Sequence, residues 1–218
     1  MRIALAVAVT AASLALSAPA TAEPAATCPP ACNRIPAAAW VSTAAIPMDS
    51  RYDWPALSGL AVTSGSPRFR FEELCASPAL TQDVRTVAVA ERSVIANPSG
   101  QWQLQAQILH WPGETWRGGQ LARDALAAAA ATLRSCQETN QGASPSMTLD
   151  EPERLAAVIS GQVILHEYLL ADPVSSTVTE LALWSAAPPR NRYPTVADAA
   201  VLDALGEPLC NAYLGSCR

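Results

Sequence analysis

Residues 86–136 read TVAVAERSVIANPSGQWQLQAQILHWPGETWRGGQLARDALAAAAATLRSC, the most strongly patterned part of the chain. Two β-like runs, 84–96 and 102–111, flank Asn97-Pro98-Ser99-Gly100, residue types that turn a chain back on itself. In the second run Trp102, Leu104, Ala106 and Ile108 fall on one side and Gln103, Gln105 and Gln107 on the other, because successive strand side chains alternate. The pattern predicts a strand with one face in the core and a glutamine face turned to water or to a ligand. Pro112-Gly113 breaks the strand, and Thr115 is a suitable helix cap. Ala122, Leu126, Ala129, Leu133 and Cys136 then recur at helical spacing as a single apolar stripe. The expectation is a hairpin feeding a helix whose last cysteine points inward.

Outward from this unit, 155–170 reads as two strands meeting at Ser160-Gly161, with a continuous helix over 151–170 as the alternative that Gly161 and the Val/Ile enrichment weaken, and 177–185 reads as another strand. Residues 195–213 read as a helix capped at Thr195 and stopped at Gly206, with a further turn near Cys210. Residues 60–66 and 140–146 read as turn and loop, and 36–54 as short helical or irregular pieces rich in aromatics. This order predicts an α+β fold, an antiparallel sheet with helices gathered on one face.

The N-terminus combines Met1-Arg2, an apolar run beginning at Ile3, and a small-residue site at Ala20-Thr21-Ala22. These features predict a signal peptide over 1–22 with cleavage before Glu23. The apolar run ends at Pro19, short of the roughly 20 residues that span a bilayer. Residues 23–39 then form a Pro/Ala-rich arm and 40–218 a single domain. The expected location is secreted, extracellular or in the cell envelope, with no membrane span once the signal is removed.

Formal net charge is −5, and all 14 basic residues are arginines scattered along the chain. Nucleic-acid binding, which needs a clustered basic patch, is not expected. Six cysteines in an exported chain predict disulfides. Cys75 and Cys136, the two without a near neighbour, are the favoured pair, and their loop stabilises by about 4 kcal/mol in the chain-entropy picture. For Cys28, Cys32, Cys210 and Cys217, bonds within each near pair or between the termini are both open. The spacing of these four is wider than the tight pairs of structural zinc sites, so neither metal nor cofactor is expected.

Several of these features resemble the extracellular sensor domain of mycobacterial receptor Ser/Thr kinases, a family shared with many secreted proteins and lipoproteins. The resemblance rests on Trp102 in a strand, Trp111-Pro112 at its end, the alanine-centred helix from Ala122 to Ala131, and Cys136 at that helix's end. An earlier cysteine after an acidic pair, Glu72-Glu73-Leu74-Cys75, completes it. It implies a curved antiparallel sheet packed with helices around a cleft, held by disulfides, and a ligand-binding role in a free-standing secreted relative.

Catalytic motifs are not recognisable. His166-Glu167 resembles the start of a zinc-protease helix, but position 170 is Leu where a second His is required. Gly142-Ala143-Ser144-Pro145-Ser146 lacks the second glycine of a hydrolase elbow. The residues expected to bind a ligand are Gln103, Gln105 and Gln107, with His166, Tyr168 and Trp184 from neighbouring strands; amides supply donors and acceptors, and rings supply flat apolar faces. The alternative for this face is simple exposure, or cover by the N-terminal arm. The functional expectation is a non-catalytic binding or sensor-like domain whose partner is an envelope small molecule, glycan, lipid or protein. An envelope hydrolase with an unrecognised site and a protein-interaction or structural module are the alternatives.

Overall fold

A computed structural model describes residues 27–217. The signal peptide read over 1–22 and the first residues of the arm lie outside them. The elements in chain order are α1 (Asp49–Tyr52), β1 (Val62–Thr63), α2 (Arg70–Leu74), β2 (Val89–Ile95), β3 (Gln103–His110), α3 (Thr115–Arg134), α4 (Cys136–Thr139), β4 (Ser144–Glu151), β5 (Arg154–Ser160), β6 (Val163–Asp172), β7 (Thr177–Ala186) and α5 (Asp198–Ala212). The seven strands make one open antiparallel sheet, ordered β1-β2-β3-β7-β6-β5-β4. The fold is α+β, as the sequence predicts.

The hairpin forms where expected, with Val89 opposite His110 and Ile95 opposite Leu104. Residues 84–87, read as strand, are instead a 3-10 turn in which the Asp83 side chain accepts the Arg85 N–H. β4 begins inside the stretch 140–146 that was expected to be loop and runs on to Glu151. Its polar, largely exposed sequence suits a sheet edge, where one row of backbone groups faces water. α5 runs through Gly206 and Pro208 because Leu205, Leu209 and Ala212 continue its buried stripe.

Helices cover both faces of the sheet. α3, through Ala122, Leu126, Ala129 and Leu133, packs on Leu165, Leu169, Val178 and Ala182. α5, through Val201, Leu202, Leu205 and Leu209, packs with the N-terminal pieces on Trp102, Leu104, Ile108 and Leu181. Gathering helices on one face therefore holds for α2, α3 and α4 but not for α5. With both faces covered, the central strand β7 is buried along all but its last residue. α3 can lie close to the β6–β7 turn because two glycines meet it: a Cβ on Gly119 would sit 2.5 Å from the Pro173 carbonyl oxygen, and one on Gly118 would sit 2.5 Å from Ser176 Oγ.

Three disulfides brace this arrangement: Cys75–Cys136, Cys28–Cys32 and Cys210–Cys217. Each near pair thus bonds within itself. Cys28 nevertheless ties the termini together through the backbone, its N–H donating to Ala212 O and its carbonyl accepting from Leu214 N–H, both at 2.9 Å. The arm lies on the α5 side, where Cys28, Ile35 and Ala39 are core residues.

Candidate functional site

The register of the central strands puts polar residues side by side. Gln105 lies opposite Ala182, Gln107 opposite Glu180, and Glu167 opposite Ala182 from the other side, so all four polar side chains project from the α3 face of the sheet. Arg92 joins them from β2, opposite Gln107. The result is a polar layer inside the core. Gln105 Nε2 donates to Glu180 Oε2 at 3.0 Å, and Arg92 Nε donates to Gln107 Oε1 at 3.0 Å. Gln105, Gln107, Glu167 and Glu180 are each at most 3% exposed.

The cover over this layer is segment 68–77, held at one end by the Cys75–Cys136 bond. Its backbone completes the layer. The Arg70 N–H donates to Glu180 Oε1, and the Arg68 carbonyl accepts from Arg92 Nη2 and Gln107 Nε2. The Arg70 guanidinium lies 4.4 Å from the centroid of the Trp184 ring. So the glutamine face is neither open nor covered by the N-terminal arm; α2 and its flanks close it. Pro67–Leu74 packs here because Phe69 and Phe71 are fully buried anchors.

Glu72 carries the second charged cluster. Its Oε2 accepts the Phe69 N–H at 2.7 Å and Arg85 Nη1 at 2.6 Å, while Oε1 accepts Arg85 Nη2 at 2.9 Å. Asp83 grips the other side of the same guanidinium. Burial works against the Arg85 charge, but hydrogen bonds and charges from Asp83 and Glu72 outweigh it and raise the pKa. Burial likewise opposes the Asp83 charge, and the Arg85 contacts outweigh it, leaving that carboxyl below its usual range.

Glu167 and Glu180 behave oppositely. Burial first, then the Glu180 charge and hydrogen bond, push Glu167 well above the usual carboxylate range. Burial raises Glu180 too, against hydrogen bonds from Glu167, Gln105 and the Arg70 N–H.

The sequence-predicted binding residues are divided between two places. Gln103, Gln105, Gln107 and Trp184 belong to the α3 face. His166 and Tyr168 project from the opposite face, where His166 stacks on Tyr193 at 3.6 Å between centroids and Tyr168 Oη meets Tyr193 Oη at 3.1 Å. The strand positions 166 and 167 explain the division, since neighbours in a strand point to opposite faces. His110 is also on the α5 side. Its Nε2 donates to Cys32 O at 2.9 Å, and Nδ1 lies 3.1 Å from Thr177 Oγ1. The imidazole thereby ties the arm to the sheet. Among the described residues, no three His, Cys, Asp or Glu side chains gather so as to hold a metal ion.

A cavity of about 220 Å3 opens beside the Glu72 cluster, between 80–85 and α3. Glu72, Asp83, Arg85, Asp124 and Thr132 supply its polar wall, and alanines of α3 supply an apolar one. Sequence reasoning did not single out Glu72, Arg85 or Glu167 as site residues. Glu167 had a visible signal, a single carboxyl in the apolar run Val163–Leu170. The Glu72–Arg85 pairing had none, because it depends on the tertiary approach of 84–87 to α2.

Compared with protein-family models, curated proteins and solved structures, the chain matches none. Among the described residues no helix is long and apolar enough to cross a membrane.

Proposed function

We propose that the chain is an exported, non-catalytic binding or sensor-like domain that acts at the cell envelope. The three disulfides and the signal-like N-terminus support export. The resemblance to kinase sensor domains is part of the same reading. The observation that carries it is the Glu72–Asp83–Arg85 cavity, a concave site with charged groups on one wall and small apolar residues on the other. Buried, ion-paired side chains are weak stabilisers, and charged groups with shifted pKa values lining a cavity are candidates for a functional site. Carboxylates at Glu72, Asp83 and Asp124 accept hydrogen bonds from hydroxyl or ammonium groups, and Ala125, Ala128 and Ala129 offer carbon surface. A small polyol or amine released from envelope material meets both needs.

Thermal denaturation against a panel of envelope sugars, amino sugars and small amines tests this. A ligand at about a hundredfold its Kd raises Tm by roughly 5–10 °C for a domain of this size. Ala128→Leu fills the cavity without touching its polar groups and should remove that shift while leaving the ligand-free Tm nearly unchanged. A shift that survives Ala128→Leu, or no shift across the panel, removes the basis for this site.

A second reading, a protein-interaction module, is favoured by a different observation. Val87, 67% exposed, lines a groove with Trp111, Pro112 and Leu121, and Trp116, in the first turn of the helix that supplies Leu121, is 74% exposed. Trp116→Ala should leave ligand-induced shifts intact, which separates the two readings.

A further inference from the structure

Glu167 is 1% exposed, and among the described residues neither of its carboxyl oxygens makes a hydrogen bond of full geometry, although the Phe71 N–H of the cover faces it. Its neighbour is nevertheless in place. Glu180 lies diagonally across the β6–β7 ladder on the same face, and the two carboxyl groups are in hydrogen-bonding contact. Two carboxylates bring no donor to such a contact, which is why Glu167 is left without a full hydrogen bond. One proton resolves it: a neutral Glu167 donates O–H to Glu180, whose remaining acceptor sites already take the Gln105 amide and the Arg70 N–H.

We infer that Glu167 and Glu180 form one proton-binding site that holds a single proton between them at neutral pH, and that loss of this proton releases segment 68–77 from the sheet. The charges that face the pair leave no other relief. From α2, Glu72 adds negative charge, but its carboxylate is engaged by Arg85; the Arg70 guanidinium is turned to Glu73 and Trp184. From β2, Arg92 is engaged by Gln107 and the Arg68 carbonyl, and attracts Glu180 from a distance. β3 contributes the neutral Gln105 and Gln107, and β5 contributes Ala157 opposite Glu167. α3 presents alanines and leucines to this face.

Two adjacent buried negative charges repel and lack solvation. β6 and β7 cannot move to relieve them, because each is bonded along its length to strands on both sides. The cover can. α2 has five residues and irregular flanks, is held down by Phe69, Phe71 and the Glu72–Arg85 pair and not by a strand ladder, and is tethered at one end by Cys75 as a hinge. Lifting it brings water to the pair and uncovers Gln105 and Gln107, so the glutamine face becomes available as pH rises. The device works without the cavity ligand and is tested in its absence, so its failure leaves the binding reading standing, and the reverse.

The sign is that of a raised carboxyl pKa. The closed segment keeps the proton where the open one loses it, so closure is fully favoured below the ordinary carboxyl range and weakens as pH rises through the pair's own titration. Amide hydrogen exchange of Arg70 and Cys75, corrected for the intrinsic pH effect by core amides of β7, reads the opening. The expected opening constant rises by about tenfold per pH unit from pH 5 upward until the pair has ionised, then levels off. Glu167→Gln, in which an amide stands in for the neutral acid, should give a flat profile, as should the double variant Glu167→Gln/Glu180→Gln if the single one does not fold. A flat profile in the unaltered chain, or an undiminished rise in either variant, overturns the proposal.

Discussion

Arg85 clasps Glu72 end to end, Nη1 on Oε2 at 2.6 Å and Nη2 on Oε1 at 2.9 Å, with the side chains only 4% and 3% exposed. The same guanidinium lies 4.8 Å from the centroid of the Phe69 ring. This residue links 83–85, the cover segment and the cavity wall. Arg85→Ala leaves Glu72 and Asp83 without their cation, and breaking a buried pair in this way costs about 3–5 kcal/mol. Urea denaturation should show a loss of that size. The double variant Arg85→Met/Glu72→Leu should recover much of it, since an apolar pair replaces an ionic one.

Gly119 is the position where α3 touches the β6–β7 turn. A Cβ there would lie 2.5 Å from a backbone oxygen, Pro173 O, which cannot swing aside as the end of a side chain can. Gly119→Ala gains helix propensity of about 1 kcal/mol yet forces helix and turn apart, an overpacking cost of about 1–3 kcal/mol. The expected outcome is a net destabilisation read as a lowered Tm, despite a substitution that stabilises most helices. An unchanged or raised Tm would mean that the close approach is not required.

Much of this fold is legible in the sequence. The alternation of β3, the stripe of α3 and the isolation of Cys75 and Cys136 each follow from local pattern, and each has its counterpart in the structure. What is not legible has physical reasons. β4 is polar because it is an edge, and edge strands read like loops. α5 passes Gly206 and Pro208 because core contacts outweigh local propensity. The glutamine face is ambiguous in principle: amides alternating with apolar residues read alike whether they meet water or a buried polar layer. Only the docking of 68–77, a tertiary event, distinguishes the two. The same event creates the Glu72–Arg85 cluster.

The opposite face makes a separate prediction about acid. Burial lowers the His166 imidazole to about 4, with the Asp198 charge opposing. In the fold this ring is neutral, while in the unfolded chain it takes up a proton near pH 6.5, so the unfolded state binds more protons between about 6.5 and 4. Stability present above that window is lost as pH falls through it. His166→Phe keeps a ring against Tyr193 and removes the titration. Its Tm should fall less than that of the unaltered chain between pH 6.5 and pH 4, while the two run parallel above pH 7. Parallel curves throughout would exclude a His166 contribution. Its sign is opposite to that of the carboxyl pair, since this stability grows as pH rises while closure of the cover weakens, so the two effects stay distinguishable where their ranges overlap.

The carboxyl pair itself can be read directly by 13C NMR of the glutamate side-chain carboxyl carbons across pH 3 to 10, with Glu167→Gln and Glu180→Gln used for assignment. A shared, buried proton predicts that the Glu167 carbon keeps the shift of a neutral acid through pH 7, titrates well above the surface glutamates, and moves together with Glu180. If both carbons instead titrate in the ordinary carboxyl range alongside the exposed glutamates, the pair holds no proton at neutral pH and the cover over the glutamine face is not under its control.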